Sequence, residues 1–209
     1  MRNEFKPENF AREDGGDDEL FYAMPRLVKH IDEPACEALA QYYARVLPAG
    51  GDILDLMSSY ASHLPAEPTF GRVVGLGLNE RELNENTQLS ERVIHNLNVN
   101  PAMPFPDRSF DACILAVSVQ YLTSPVDVFA DVARVLKPGA LLAVSFSNRM
   151  FATKAIAIWR GISDSDHARL LEIYLRTAGG YQDLNFEDLS PTPSKTDPIY
   201  LVSARREMV

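Results

Sequence analysis

Apolar residues along the chain follow two alternating patterns, and this alternation predicts strands and helices in turn. Short, nearly continuous apolar runs indicate strands that are covered on both faces. Segments whose apolar residues recur every three or four positions are typical of helices with one buried face. The predicted strands are DILDL (52–56), RVVGLGL (72–78), SERVIHNLNV (90–99), FDACILAVSV (110–119), ALLAVSFSN (140–148), YQDLNFEDLS (181–190) and PIYLVSARR (198–206).

The helical segments fall between these strands. The clearest one covers 124–139, where Ser124 is a candidate N-cap, Pro125 suits the first helical position and Lys137-Pro-Gly marks the end. Strand and helix alternate through the fifth strand, and the last two strands adjoin each other. This order predicts an α/β fold with a doubly wound, seven-stranded, mostly parallel sheet and an antiparallel C-terminal hairpin. The predicted helices are 34–46, 79–89, 124–139 and 163–180.

Composition and charge narrow the choice of partners. The chain has 209 residues, of which 46% are apolar and 23% charged, as in an ordinary soluble domain. No apolar run reaches about 18 residues, so no membrane span is expected. The N-terminal segment lacks signal-peptide and transit-peptide patterns, which predicts a cytoplasmic protein. The net charge is −9, and a surface of that sign repels phosphodiester backbones, so no nucleic acid partner is expected.

The acidic residues are concentrated between positions 4 and 19, which predicts a solvated, partly disordered arm. Cys36 and Cys113 fall in a predicted helix and a predicted buried strand, so they are interpreted as core residues. The four histidines show no metal-ligand spacing, and no metal site is predicted. Among them, His63 and His167 are interpreted as solvent-facing or capping residues.

One segment, 103–148, carries a specific resemblance. The stretches Pro104–Asp107, Ser109–Asp111 and Arg134–Gly139 resemble motifs of class I S-adenosylmethionine-dependent methyltransferases, in the type 11 group that includes quinone-biosynthesis enzymes. A weaker resemblance extends over about residues 35–205. It implies the Rossmann-like class I methyltransferase fold, S-adenosylmethionine as cofactor and S-adenosylhomocysteine as product.

The resemblance also implies an arrangement of domains and partners. Residues 1–33 are expected to form an N-terminal acidic arm and lid, and residues 34–209 the methyltransferase-like domain. The expected partner is a small-molecule acceptor, and the expected state is a monomer or homodimer.

The turn after the first strand departs from the family. Asp55 keeps the acid that in the family supports the methionine end of the cofactor, but no glycine follows in the turn that should open a helix. The hydroxyls of Ser58 and Ser59 are predicted to replace that corner, with Met57 and Tyr60 packing beside them. The alternative is that Met57 and Tyr60 fill an empty pocket.

The turns after the second and third strands supply the other predicted contacts. Gly77 stands where the family has a ribose-binding acid, so Asn79 and Glu80 are predicted to reach the sugar, unless they only begin a helix. The amide of Asn96 is predicted to pair with the adenine edge. The predicted cofactor-binding residues are Asp55, Met57, Ser58, Ser59, Leu78, Asn79, Glu80, Asn96, Leu97 and Val117.

Catalytic and acceptor-binding residues are expected from the fourth strand, the lid and the segment after the fifth strand. Gln120 and Tyr121 are predicted at the reacting centre, but neither is a strong base, which favours a thiolate acceptor or transfer governed by alignment. His30 is the candidate base, and a structural role is the alternative. The predicted acceptor-binding residues are Tyr22, Arg26, Arg149 and Phe151, whose aromatic members are alternatively core residues.

Three functions remain open from the sequence. The first is an active methyltransferase that transfers a methyl group in line to a small molecule. The second is a catalytically inert, methyltransferase-like binding or regulatory protein, suggested by the missing glycines and ribose acid. The third is a different S-adenosylmethionine or nucleoside enzyme on the same scaffold. A nicotinamide dehydrogenase is disfavoured because no GxGxxG follows any strand.

Overall fold

The computed structural model describes residues 5–208, which contain a single seven-stranded sheet. Its strand order is β3-β2-β1-β4-β5-β7-β6, with β7 antiparallel to both of its neighbours and the other pairs parallel. The predicted seven-stranded, mostly parallel sheet with a C-terminal hairpin is therefore confirmed. The strands are β1 (Ile53–Leu56), β2 (Val73–Gly77), β3 (Glu91–Ile94), β4 (Phe110–Ala116), β5 (Leu136–Phe146), β6 (Tyr181–Asp188) and β7 (Tyr200–Arg206).

Helices cover both faces of this sheet and bury its apolar side chains. One face packs against α4 (Pro125–Val135) and α6 (Asp164–Ala178), where Phe129 and Tyr174 are fully buried. The other face packs against α2, whose Leu39 and Tyr43 are fully buried. The free thiols of Cys36 and Cys113 are buried, which confirms their placement in the core. The helices are α1 (Asp18–Tyr22), α2 (Glu33–Val46), α3 (Glu80–Glu85), α4 (Pro125–Val135), α5 (Ala157–Arg160) and α6 (Asp164–Ala178).

The connection between β1 and β2 differs from the expectation. Residues 57–72 cross from one strand to the next without any helix, although the resemblance implied that the turn after Asp55 would open one. The segment contains a cis peptide bond before Pro68 and positive backbone φ values at Met57 and His63. We refer to residues 57–72 as the β1–β2 crossover.

The β4–β5 connection follows the sequence prediction more closely. Helix α4 begins at Pro125 after Ser124 in the N-cap position, but the Ser124 hydroxyl makes no capping hydrogen bond. Strand β5 begins at Leu136, four residues earlier than predicted, because Lys137-Pro-Gly continues into the strand instead of forming a separate turn.

The acidic N-terminal segment is only partly solvated. Asp18 is 4% exposed and accepts hydrogen bonds from Arg12 at 2.7 and 2.9 Å, while the buried Lys154 ammonium lies 3.2 Å away. The prediction of a solvated arm is thus wrong for Asp18, because two cations and the protein interior hold it. Glu4, also assigned to that arm, lies outside the described residues. Within 5–208, no helix has the length and apolar character needed to span a bilayer.

Candidate active site

A cavity of about 830 Å³ lies where the parallel strands of the sheet end. The loops after β1, β2, β3 and β4 form its floor, and residues from the 18–32 segment cover it. We call residues 18–32 the lid. Sites in open α/β sheets form at this edge, next to the point where the strand order reverses. The predicted site residues that line the cavity are Tyr22, Arg26, His30, Asp55, Met57, Ser58, Ser59, Leu78, Asn79, Asn96, Leu97, Val117, Tyr121, Arg149 and Phe151.

Asp55 lies under the first turn and is 2% exposed. Burial raises the pKa of its carboxyl to about 6, against the opposing effect of hydrogen bonds from Ser58 and Ser62. The Ser58 hydroxyl donates to Oδ2 of Asp55 at 2.6 Å. Since its single proton is used in this bond, Ser58 can offer a ligand only the lone pairs of its oxygen.

Glu82 joins the β1–β2 crossover to the lid. Its Oε2 accepts from the Ser59 hydroxyl at 2.6 Å, and its Oε1 accepts from the backbone amide of Arg26 at 2.6 Å. Glu82 is 5% exposed and lines the cavity. Sequence reasoning missed it because its signal was that of an ordinary acid in the first turn of a helix.

The end of β2 has no space for a side chain at Gly77. A Cβ atom built there would lie 2.2 Å from the carbonyl oxygen of Ser58, far inside contact distance. The Ser58 amide donates to the carbonyl of Leu76 at 2.8 Å, which holds the crossover against the strand end. The missing carboxylate at Gly77 is therefore a steric consequence of how the crossover is folded.

Of the two residues predicted to contact the sugar, Asn79 lines the cavity and Glu80 does not. The Asn79 amide donates to the carbonyls of Tyr22 and Ala23 at 2.7 and 3.1 Å, and its oxygen caps α3 by accepting from the Glu82 amide. Glu80 is exposed and does not line the cavity, because its side chain leaves α3 on the solvent side.

The loop after β3 connects the predicted adenine wall to the lid. Asn98 donates to Asp18 at 2.8 Å and to the carbonyl of Tyr121 at 3.0 Å. The Asn96 side chain accepts from the Asn98 amide at 3.0 Å, and Leu97 is 4% exposed. Burial acts to raise the pKa of Asp18, but hydrogen bonds from Asn98, Arg12 and Lys154 leave it below its ordinary value.

The segment after β4 places one of its two predicted catalytic residues in the cavity. The Tyr121 ring stacks on Phe151 with centroids 5.9 Å apart, and its hydroxyl oxygen accepts from the Phe151 amide at 2.7 Å. Burial raises the pKa of Tyr121, so the phenol stays protonated at neutral pH. Gln120 is 1% exposed and lies outside the lining, because its amide nitrogen turns back to the carbonyls of Val117 and Arg149.

Arg26 carries a cationic group without a carboxylate partner. Its guanidinium lies over the rings of Phe21, Phe151 and Tyr22, at 4.7, 5.0 and 5.6 Å from their centroids. No ion pair involves Arg26 within the described part of the chain. Arg149, in contrast, is more exposed and lies 3.9 Å from Asp197.

Two of the four histidines lie in other surroundings than the sequence predicts. His63 is not a solvent residue, because the β1–β2 crossover brings it into the cavity lining. His167 is 4% exposed and stacks on Trp159 at 3.9 Å, so it belongs to the core. His30 lies in the cavity, edge-on to Phe151 at 5.7 Å, and burial lowers its pKa while Glu82 acts in the opposite direction.

No group of three or more His, Cys, Asp or Glu side chains between residues 5 and 208 has the geometry to hold a metal ion. The cavity instead has a hydrogen-bonded acidic end at Asp55 and an aromatic, cationic end at Phe151 and Arg26. Such a site suits an organic ligand that carries charges of both signs.

Comparison with known proteins agrees with this fold. Residues 57–144 match the family described as "Methyltransferase domain". The ubiquinone/menaquinone biosynthesis C-methyltransferase UbiE of Erwinia tasmaniensis is 31% identical over 147 residues, covering 67% of this chain and 57% of that protein. The chain thus spans little more than half of this relative.

Solved structures share the fold at low sequence identity. A methyltransferase from Aquifex aeolicus, described as dependent on S-adenosylmethionine, superposes with a TM-score of 0.59 at 18% identity, covering 98% of this chain and 100% of that one. The [4+2]-cyclase SpnF superposes with a TM-score of 0.62 at 18% identity, covering 83% and 81% of the two chains. Because a cyclase shares the scaffold, the reaction has to be argued from the site itself.

Proposed function

We propose that this chain, whose residues 57–144 match the methyltransferase domain family, transfers the methyl group of S-adenosylmethionine to a small-molecule acceptor. The observation that carries the proposal is that one continuous cavity reaches from Asp55 at the end of β1 to Phe151 beyond β5. Donor and acceptor have to share one enclosed space for in-line transfer. The open cavity also argues against Met57 and Tyr60 plugging the site, since Tyr60 is not among its lining residues.

The methionine end of the cofactor is proposed to lie at the β1–β2 crossover. The hydroxyl protons of Ser58 and Ser59 are donated to Asp55 and Glu82, so their oxygens are positioned to accept from an ammonium group. A bound cation would also lower the raised pKa of Asp55 and keep that carboxylate ionised.

The adenosyl end is proposed to lie across the loops after β2 and β3. Both amide protons of Asn79 are donated to the lid, so its proposed contribution to the sugar site is to hold the lid in position. Leu78 and Val117 would supply apolar contacts, with Asn96 and Leu97 at the adenine.

Alignment is proposed to supply most of the rate acceleration. Holding the acceptor atom, methyl carbon and sulfur in line can lower a barrier by roughly 7–11 kcal/mol. A general base adds about 10²–10⁴-fold where the acceptor must lose a proton, and His30 is the proposed base. Tyr121, which lines the cavity, would orient the acceptor, while Gln120 would act only by shaping the loop.

The acceptor is proposed to be partly apolar and to carry a negative group. The rings of Tyr22 and Phe151 form an aromatic wall, and the Arg26 guanidinium, which has no carboxylate partner within residues 5–208, lies against it, with Arg149 at the rim. The Erwinia tasmaniensis relative is named for ubiquinone and menaquinone biosynthesis. Anionic aromatic compounds are therefore the first acceptors to test.

Calorimetry with S-adenosylmethionine and S-adenosylhomocysteine tests the proposal. We expect micromolar binding of both ligands, and Asp55→Ala should abolish it. Asp107→Ala, which removes an exposed carboxylate, is the matched control and should bind as the wild type does. The absence of heat at millimolar ligand would overturn the proposal, and binding without turnover on a broad acceptor panel would favour the inert alternative.

The bridging carboxylate provides a second test. Glu82→Gln should weaken cofactor binding, because an amide cannot accept from both Ser59 and Arg26 through two oxygens. Glu85→Gln, an exposed change on the same helix, should leave the affinity unchanged.

A further inference from the structure

The β1–β2 crossover contributes more residues to the cavity lining than a short turn would. Because no helix carries the chain away after β1, residues 57–63 stay beside the opening, and Met57, Ser59 and His63 all line it. His63 therefore approaches the site from the crossover, whereas His30 approaches it from the lid.

The two histidines share unusual backbone and side-chain properties. Both have left-handed φ values, 66° at His30 and 55° at His63, a conformation that costs energy for residues other than glycine. Neither imidazole has a hydrogen-bond partner within residues 5–208. The other two rings do, since His95 bonds to the carbonyl of Asn100 and His167 to that of Trp159.

Electrostatics keep both rings neutral near pH 7. Burial lowers the pKa of His63 to about 4, the nearby charges of Lys29 and His30 act in the same direction, and Glu33 opposes them. Burial also lowers the pKa of His30, where Arg26 adds to the effect and Glu82 opposes it. A neutral imidazole has one nitrogen that donates a hydrogen bond and one that accepts.

We infer that His63 and His30 together bind the proton-bearing nucleophile of the acceptor, a hydroxyl or an amine, so that the substrate is not a thiolate. The inference rests on the proposed function and defines its substrate class. A thiolate has no proton to donate to an imidazole lone pair, whereas a hydroxyl or amine donates to one ring and accepts from the other. His63 is then an acceptor-binding residue that sequence reasoning had placed in solvent.

The transfer balances with these groups alone. For a hydroxyl acceptor, the oxygen–carbon bond forms as the carbon–sulfur bond breaks, and the sulfur keeps the electron pair of the broken bond. The hydroxyl proton passes to an imidazole nitrogen and from there to solvent through the cavity mouth. The product pair is a methyl ether and S-adenosylhomocysteine.

Three benzoates that differ at one position provide the test. 4-Hydroxybenzoate and 4-aminobenzoate carry the proposed donor, benzoate lacks it, and all three carry a carboxylate for Arg26. Each is titrated calorimetrically into protein saturated with S-adenosylhomocysteine. One added hydrogen bond is worth up to about tenfold in affinity, so the substituted compounds should bind about five- to tenfold more tightly than benzoate.

The variants preserve the backbone conformation. Asparagine tolerates left-handed φ values, so His63→Asn and His30→Asn should fold normally, which thermal unfolding checks. His63→Asn should reduce the preference for 4-hydroxybenzoate over benzoate to nearly one. His95→Asn, which changes a cavity histidine with a partner in the protein, should retain the full preference.

Three results would contradict the inference. Equal binding of benzoate and 4-hydroxybenzoate to the wild type, binding of none of the three to the saturated protein, or an unchanged preference in His63→Asn would each overturn the inference. None of these three results contradicts the proposed function, because saturation with S-adenosylhomocysteine is measured first. If that saturation fails, the proposed function itself is wrong.

Discussion

The β1–β2 and β4–β5 crossovers connect neighbouring parallel strands of one sheet, but different interactions stabilise them. The β4–β5 crossover contains α4, whose Val128, Phe129 and Val132 are fully buried against the sheet. The β1–β2 crossover has no helix, and side-chain hydrogen bonds help to hold it. Among them, Asn86 donates to the carbonyl of Ser59 and to the hydroxyl of Ser62, both at 2.9 Å.

The two crossovers also differ in what they contribute to the cavity lining. The crossover without a helix supplies Met57, Ser58, Ser59 and His63 to the lining, while α4 supplies no lining residue. Apolar burial is non-directional and contributes most of the stability. Hydrogen-bonded loops position polar atoms instead, and they open locally at lower cost than packed helices.

The largest expected effect is on stability in the apolar region. Phe129→Ala removes a fully buried ring and should lower the free energy of unfolding by about 3–5 kcal/mol, as measured in urea. The control is Phe186→Ala, where the ring is 43% exposed and the loss should be well under half as large. A similar loss in both variants would contradict the division proposed above.

In the polar region, Asp55→Asn should impair function but raise the free energy of unfolding. The pKa of Asp55 is about 6 in the folded protein against an ordinary value of 3.8, so the folded state binds the proton more tightly. Wild-type stability from this group is therefore greatest below pH 4 and falls as the pH rises to 6. Relative to the wild type, the free energy of unfolding of Asp55→Asn should be higher by up to about 3 kcal/mol at pH 8 and unchanged at pH 4.

The control for Asp55→Asn is Asp183→Asn, an exposed change on β6, which should show no such pH-dependent gain. Denaturation at the two pH values is the measurement. Equal stability of Asp55→Asn and the wild type at pH 8 would show that burial does not perturb this carboxyl.

Asn86→Ala tests whether hydrogen bonds hold the β1–β2 crossover. The change leaves buried groups at Ser59 and Ser62 without their donor and should cost about 1–3 kcal/mol of unfolding free energy. S-adenosylhomocysteine should also bind more weakly, because Ser59 is no longer fixed. Asn84→Ala, an exposed change in the last turn of α3, is the comparison, and it should change neither quantity appreciably.

The smallest effect is expected at the start of α4. The Ser124 hydroxyl makes no capping bond, so Ser124→Ala should cost less than about 0.5 kcal/mol. Asp32 caps α2 by accepting from the Ala35 amide at 3.0 Å, and Asp32→Ala should cost about 1 kcal/mol. A large loss in Ser124→Ala would mean that side-chain hydrogen bonds matter to the β4–β5 crossover after all.

The fold was predictable because its strongest signals are local. The apolar runs of β4 and β5 and the helical signals around Pro125 specify their own structure, and the sheet order follows from alternation. The missing helix after β1 was not predictable in this way. The sequence shows only that glycines are absent there, and the path of residues 57–72 depends on partners such as Asn86 and Gln88, which lie beyond β2 in the chain.

Placement in the cavity was predictable where a residue lies in the last positions of a strand or just beyond it, as Asp55 and Asn96 do. It was not predictable where a side chain reaches the cavity from a distance. Glu82 and Glu80 look alike in sequence, and only the rotation of α3 decides that Glu82 faces inward. Gln120 was predicted at the reacting centre but lies outside the cavity lining, because the turn after β4 directs its amide back to Val117.

Trp159 is the only tryptophan of the chain, and it lies in the core that α4 and α6 share, stacked on His167. Intrinsic indole emission is therefore a spectroscopic reporter for that half of the molecule and is blind to the crossover that carries His63. Fluorescence-detected melting will follow the apolar half, whereas ligand protection of amides from hydrogen exchange will follow the other. A difference between the two signals would show the halves loosening one after the other.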